Sequence, residues 1–129
     1  MSLSTDDIVE IQQLLARYTK SADIDPPETM RDIFTEDGSF VVAAMDLNIS
    51  GIDNIIAFFT ESRANSAGGV FHVTSNLIVD GDGYSATASS YLNVMQGGTD
   101  IKSLTMARYS DELVKTSQGW RLKTRTIVM

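Results

Sequence analysis

Between Ser4 and Ala22 apolar residues return at steps of three and four: Ile8, Ile11, Leu15, Tyr18 and Ala22, with Leu14 at the edge of the stripe. That spacing predicts one amphipathic helix with a single buried side. Ser4 or Thr5 can cap its start, and Asp6 and Asp7 suit the positive end of its dipole. The helix must end before Asp25-Pro26-Pro27, because a residue ahead of proline avoids the helical region. Pro27 can open a second short helix, with Asp25 as cap, Glu28 completing a capping box, and Met30, Ile33 and Phe34 buried. Glu36-Asp37-Gly38 then turns the chain into a first strand, Ser39 to Met45, with a short second one around Leu47 to Ile49. Ser50, with Asp53 three positions on, starts a third helix whose buried stripe is Ile52, Ile55, Ile56 and Phe59.

From Gly69 onward the period changes from helical to strand-like. Strands are expected near 70–80, 84–96, 101–115 and 120–128, separated by Asp80-Gly81-Asp82-Gly83, Gly97-Gly98 and Ser117-Gln118-Gly119, which are hairpin signals. Three helices and a small hairpin followed by a four-strand antiparallel meander make an α+β arrangement. With no repeat, low-complexity stretch or linker, residues 1–129 read as a single domain. A long sheet under helices can, if it curves strongly, leave a cavity open at one end for a small molecule.

Composition narrows the partners. The 129 residues are 43% hydrophobic and 21% charged, as in an ordinary globular protein. Ten basic residues against seventeen acidic ones leave a net charge of −7. Such a surface repels nucleic-acid phosphates and anionic membranes, so a small molecule or another protein is the expected partner. No apolar run exceeds Phe40 to Met45, far short of the roughly 20 residues that span a bilayer. The start, MSLSTDDIVE, lacks the pattern of a signal peptide, which makes a cytoplasmic location the default. The absence of cysteine rules out disulfides and thiolate chemistry, and a single histidine argues against an imidazole-rich metal site. Neither a G-x-S-x-G elbow nor a glycine-rich phosphate loop is present, so no cofactor or metal is expected.

The one histidine, His72, lies in VFHVTSN, where alternation puts His72, Thr74 and Asn76 on one face and Phe71 and Val73 on the other. It can be a surface residue, a satisfied core residue or a base. As a base, a neutral imidazole can take a proton from carbon acidified by a carbonyl. Asp23 stands at the end of the first helix, where the dipole disfavours negative charge, and a local choice that opposes stability is where function is expected. Asp25 has the better structural explanation, as a cap. Tyr18 lies on the buried stripe, either as a core residue bonded to backbone or as a donor to a bound molecule.

Several groups of residues resemble the SnoaL-like family of the nuclear transport factor 2-like superfamily: Arg17-Tyr18 with Asp23, Asp32 to Gly38, Gly51-Ile52, His72 with Asn76, Ala107-Arg108-Tyr109 and Gly119-Trp120-Arg121. The resemblance covers nearly the whole chain. It implies a cone-shaped fold in which three N-terminal helices pack on a strongly curved, mixed, mostly antiparallel sheet. Within the family, the motif is most similar to the branch of scytalone dehydratase, bile-acid 7α-dehydratase and hexachlorocyclohexane dehydrochlorinase. In that branch an Asp follows the first helix and a catalytic His begins the first long strand, places that Asp23 and His72 match. Tyr18 matches a pocket tyrosine of the dehydratase members.

The resemblance thus implies a cofactor-independent lyase, a dehydratase, with Asp23, His72 and Tyr18 as catalytic residues. An isomerase, a polyketide-cyclase-type enzyme or a non-catalytic binding domain with the same pocket are the alternatives. The expected ligand is a small apolar or aromatic molecule, and the expected assembly a homo-oligomer, dimer or trimer. Asn76, Tyr91, Asn93, Met106, Tyr109 and Phe59 are the candidate pocket wall, although alternation leaves open which faces of the neighbouring strands turn inward. Arg108 and Arg125 read as outer-face charges, Trp120 as a core aromatic, and the DGDG turn as a hairpin rather than a calcium loop.

Overall fold

The first helix forms where the apolar stripe puts it. In the computed structural model, which describes residues 2–66 and 69–129, helix α1 spans Thr5–Asp23 and buries Ile11, Leu14, Leu15, Tyr18 and Ala22. Ser4 caps it in a capping box: its hydroxyl accepts from the Asp7 N–H at 3.0 Å, and the Asp7 carboxylate accepts from the Ser4 N–H at 3.4 Å. Asp7 does more than complement the dipole. Its carboxylate also accepts from Trp120 Nε1 at 2.9 Å and Lys115 Nζ at 3.0 Å, tying the helix start to the far end of the chain. These bonds, that of Trp120 foremost, hold the Asp7 carboxyl well below the usual carboxylate range.

Beyond α1 two expected caps do not form. Residues Pro27–Asp32 make a short 3-10 helix led by Pro26, with no side-chain cap. The N–H of Asp25 is already taken by the Lys20 carbonyl at 2.8 Å, so Glu28 has no cap donor to reach and pairs with Arg31 Nε at 3.1 Å instead. Helix α2, Ile52–Asn65, starts from Gly51 at φ +89°, a left-handed backbone that suits glycine, and Ser50 does not cap it. Asp53 pairs with Arg31 Nη2 at 2.6 Å. The helical region is therefore two α-helices and a 3-10 turn, with Met30, Ile33, Phe34, Ile52, Ile55, Ile56 and Phe59 buried as the pattern predicts.

Strand β1 covers Phe34–Val42, beginning five residues earlier than expected, and Ala43–Met45 coil into a 3-10 turn before β2, Leu47–Ser50. The long strands β3 (Val70–Gly81), β4 (Ser85–Gln96), β5 (Lys102–Thr116) and β6 (Gly119–Val128) follow the hairpin signals closely. Asp82 closes the β3–β4 turn by accepting from the N–H groups of Tyr84 and Ser85 at 2.8 and 2.9 Å. All six strands join one sheet in the order β2-β1-β6-β5-β4-β3, parallel between β1 and β6 and antiparallel elsewhere. One core cluster runs between the helices and the inner face of this sheet, with Trp120 fully buried in it. No helix among the described residues is long and apolar enough to cross a membrane.

Two β-bulges decide which side chains face the helices. On β3, Ser75 pairs with Tyr91 and Ile78 with Ser89, so Asn76 and Leu77 together oppose Ser90. Asn76 takes the left-handed conformation at φ +58°, which asparagine tolerates better than most residues. On β6, Thr124 pairs with Glu112 but Leu122 with Leu113, which makes Lys123 the extra residue. Past each bulge the inward parity of the strand is reversed.

Candidate active site

The end of α1 is anchored before the site begins. Ser21 is fully buried; its hydroxyl accepts from Thr29 at 2.6 Å and its carbonyl from Arg63 Nη2 of α2. Asp23, the last helical residue, then faces the start of β3. Its Oδ1 lies 2.6 Å from His72 Nδ1, and its Oδ2 accepts from the His72 backbone N–H at 3.0 Å. One carboxylate therefore holds both the position of the strand and the rotation of the ring. The Asp23 side chain is 7% exposed and the His72 side chain 25%. With a carboxylate on Nδ1, the neutral imidazole carries its proton there, and Nε2, without a partner among the described residues, is left as the acceptor.

Asp23 and His72 line a cavity of about 550 Å³ with Tyr18, Tyr109 and a largely apolar wall that includes Phe40, Phe59, Leu92, Val94 and Ile127. An apolar hollow with a few convergent polar groups suits a small, mostly hydrophobic molecule. Arg63, Ser62 and Ser66 add the polar groups contributed by α2 and its end.

Tyr18 and Tyr109 meet edge to face, with ring centroids 5.9 Å apart, and both are 1% exposed. Against both rings sits Arg125, its guanidinium carbon 3.4 Å from the Tyr109 ring centroid and 4.3 Å from that of Tyr18. Arg125 is 1% exposed and pairs through Nε with Asp111 Oδ1 at 3.0 Å. Burial pushes the Tyr18 hydroxyl well above its ordinary range and raises Tyr109 too, so both keep their protons at neutral pH. Burial also pushes the Asp111 carboxyl up to about 6, with the Arg125 guanidinium opposing it.

These placements correct parts of the sequence reading. Arg125 is a core residue and not an outer-face charge, because the bulge at Lys123 reverses the alternation that runs inward through Trp120 and Leu122. Arg108 is exposed, as expected. Phe59 and Tyr109 stand on the cavity wall, whereas Asn76, Tyr91, Asn93 and Met106 do not. Asn76 is displaced by its bulge. Leu92 pairs with Ala107 and Ser90 with Tyr109 on the inner face, so Tyr91, Asn93 and Met106 fall on the outer one. Asn76 and Tyr91 instead border an outer-face hollow of about 490 Å³ beside Arg108. Arg63, Asp111 and the inward role of Arg125 were not foreseen. Asp111 was legible, since it shares strand parity with the buried Ala107, Tyr109 and Leu113, and a carboxylate in that row requires a cation.

No curated protein matches this chain. Among solved structures, a cystatin-like-fold protein of unknown function from Nostoc punctiforme is 29% identical with a TM-score of 0.88, the match covering 98% of this chain and 93% of the other. An NTF2-like protein with a cystatin-like fold from Novosphingobium aromaticivorans is 27% identical with a TM-score of 0.86, over 95% of this chain and 80% of the other. At the level of fold alone, a Catenulispora acidiphila protein solved in complex with S-DNPA is 22% identical with a TM-score of 0.82, over 96% and 95%. The cone-like layering of helices on a mixed sheet is thus shared along nearly the full length. Residues 4–126 match the SnoaL-like domain, and the chain belongs to that family within the NTF2-like superfamily.

Proposed function

We propose that this chain is a cofactor-independent lyase, a dehydratase acting on a mostly apolar cyclic carbonyl compound. The observation that carries the reading is the Asp23–His72 contact of 2.6 Å on the wall of a sheltered apolar cavity. His72 Nε2 takes a proton from the carbon beside the carbonyl, and the electron pair of that C–H bond moves onto the carbonyl oxygen. Asp23 fixes the tautomer and stabilises the imidazolium that forms. As the carbonyl is restored, the C–O bond of the β-hydroxyl breaks. Tyr18 hydrogen-bonds to the departing oxygen, which leaves as water with the proton from His72, and a conjugated double bond remains.

Incubation with a cyclic β-hydroxy ketone, followed by product mass, tests the reaction class. The dehydratase reading expects loss of one water, dependent on both Asp23 and His72. An unchanged mass with a moved double bond or a closed ring would replace it by the isomerase or cyclase reading. Saturable binding without turnover would leave a binding domain.

A homo-oligomer belongs to the same reading. The outer face of β3–β5 exposes Val73, Ile78, Tyr91 and Met106, an apolar patch on a chain of net charge −7. Native mass should show a dimer or trimer that Val73→Lys dissociates, and a monomeric wild-type protein would reject it.

A further inference from the structure

We infer that Arg63 is an anion seat, and that the ligand of the cavity is a mostly apolar ring compound carrying a carboxylate. This rests on the lyase reading and deepens it, by adding an acid group to the cyclic carbonyl substrate.

Arg63 stands in the last turn of α2, is half-buried, and lines the same cavity as Asp23 and His72. Its Nη2 donates to the Ser21 carbonyl, one of the acceptors left open where α1 ends. That cap accounts for one of the five N–H donors of a guanidinium. Nε is buried without a partner, and Nη1 makes no hydrogen bond among the described residues. No carboxylate among them lies within ion-pair distance of Arg63 either. Arg125 shows how this fold otherwise treats a guanidinium taken out of water: Asp111 meets it at 3.0 Å. Arg63 has no such counter-charge, and a cation on an apolar wall calls for one.

The protein has no acid to spare for it. Asp23 is the one acidic residue lining the cavity, and His72 engages both its oxygens. The charge of Asp23 is matched when His72 takes up a proton, which leaves that of Arg63 to the ligand. A carboxylate fits the planar fork of a guanidinium in both shape and charge. Beside Phe40, Phe58 and Phe59 the pair is screened less than in open water. The anchor also sets the position. Ser21 precedes Asp23 by two residues, so an acid group held by Arg63 keeps the attached ring over the end of α1 that carries the dyad.

The test uses 2-naphthoate and 2-naphthamide, an anion and a neutral amide of nearly the same shape, with binding to the full chain followed by fluorescence at neutral pH. The wild-type protein should bind naphthoate about ten- to a hundredfold more tightly than naphthamide, and added salt should narrow the gap. Arg63→Gln should lose the preference while its naphthamide affinity stays within about threefold of wild type. Both probes are measured on the same folded variant, so their ratio is independent of any stability lost with the Ser21 cap. Arg63→Lys, the milder change where Arg63→Gln folds poorly, keeps the charge without the fork and should reduce the preference about threefold. His72→Gln should keep it in full. Equal wild-type affinity for the two probes, binding of neither, a preference undiminished in a folded Arg63 variant, or one lost in His72→Gln would each overturn the inference. An Arg63-dependent preference in a protein that turns over no cyclic β-hydroxy ketone would leave this inference standing and sink the lyase reading. Turnover without an Arg63-dependent preference would do the reverse.

Discussion

Replacing His72 by glutamine should lower turnover by about a hundred- to ten-thousandfold while the fold stays intact. The magnitude is that of removing a positioned general base. The fold should survive because half of the Asp23 contact is made to backbone: the His72 N–H donates to Asp23 Oδ2 at 3.0 Å whatever side chain follows. The glutamine amide can still donate to Asp23 Oδ1, so the carboxylate is not left unpaired. What the variant lacks is an acceptor nitrogen that can take up a proton and hold it as a cation beside Asp23. Turnover and the urea midpoint, measured on the same preparations, separate the two effects. Turnover within threefold of wild type would remove His72 as the base. A loss of activity accompanied by an equal loss of folded protein would leave the residue structural.

That Asp23 and His72 meet was expected from the family resemblance, and two local facts placed each residue on its element. The apolar stripe ends helix α1 just before Asp25-Pro26-Pro27, which puts Asp23 at the helix terminus. The glycine hairpins place His72 near the start of the first long strand. The hairpins and buried helical stripes were equally readable, because spacing and turn residues act locally. What alternation could not supply was the inward face of each long strand, since one extra residue reverses it. The bulge at Asn76 carries that side chain away from the face of His72, and the bulge at Lys123 brings Arg125 inside. Met106 and Tyr109, three residues apart, cannot share one face of a regular strand, and only Tyr109 is buried. The failed caps have a different origin. The Asp25 N–H is taken locally by the Lys20 carbonyl as α1 ends, and the Asp53 carboxylate by Arg31, which becomes its neighbour only in the folded chain.

The Arg125–Asp111 pair should show the largest effect on stability. Arg125→Met leaves a carboxylate 2% exposed with no cation, and removing one partner of a buried pair costs about 3–5 kcal/mol. That cost should depend on pH. In the wild-type protein the Asp111 carboxyl is raised from 3.8 to about 6, so its contribution to stability is fully present below the unfolded value and is lost as pH rises through about 6. Without the guanidinium, the opposing pull disappears and the carboxyl titrates higher still. Below about pH 6 both native proteins then hold Asp111 neutral. Above it only the variant keeps paying to do so, and the penalty should grow as the pH is raised. Urea unfolding at several pH values reads this directly, and a penalty independent of pH would contradict the buried, unpaired carboxylate. Replacing both residues, Asp111→Leu with Arg125→Met, should recover most of the lost stability, since neither charge is then stranded. This double variant separates fold from chemistry behind the Tyr18 and Tyr109 rings. It would keep Tyr18 and Tyr109 in a packed core but remove the cation against which both rings rest. Turnover lost there, in a protein as stable as wild type, would assign the Arg125–Asp111 pair a role in supporting the two tyrosines rather than in stability alone.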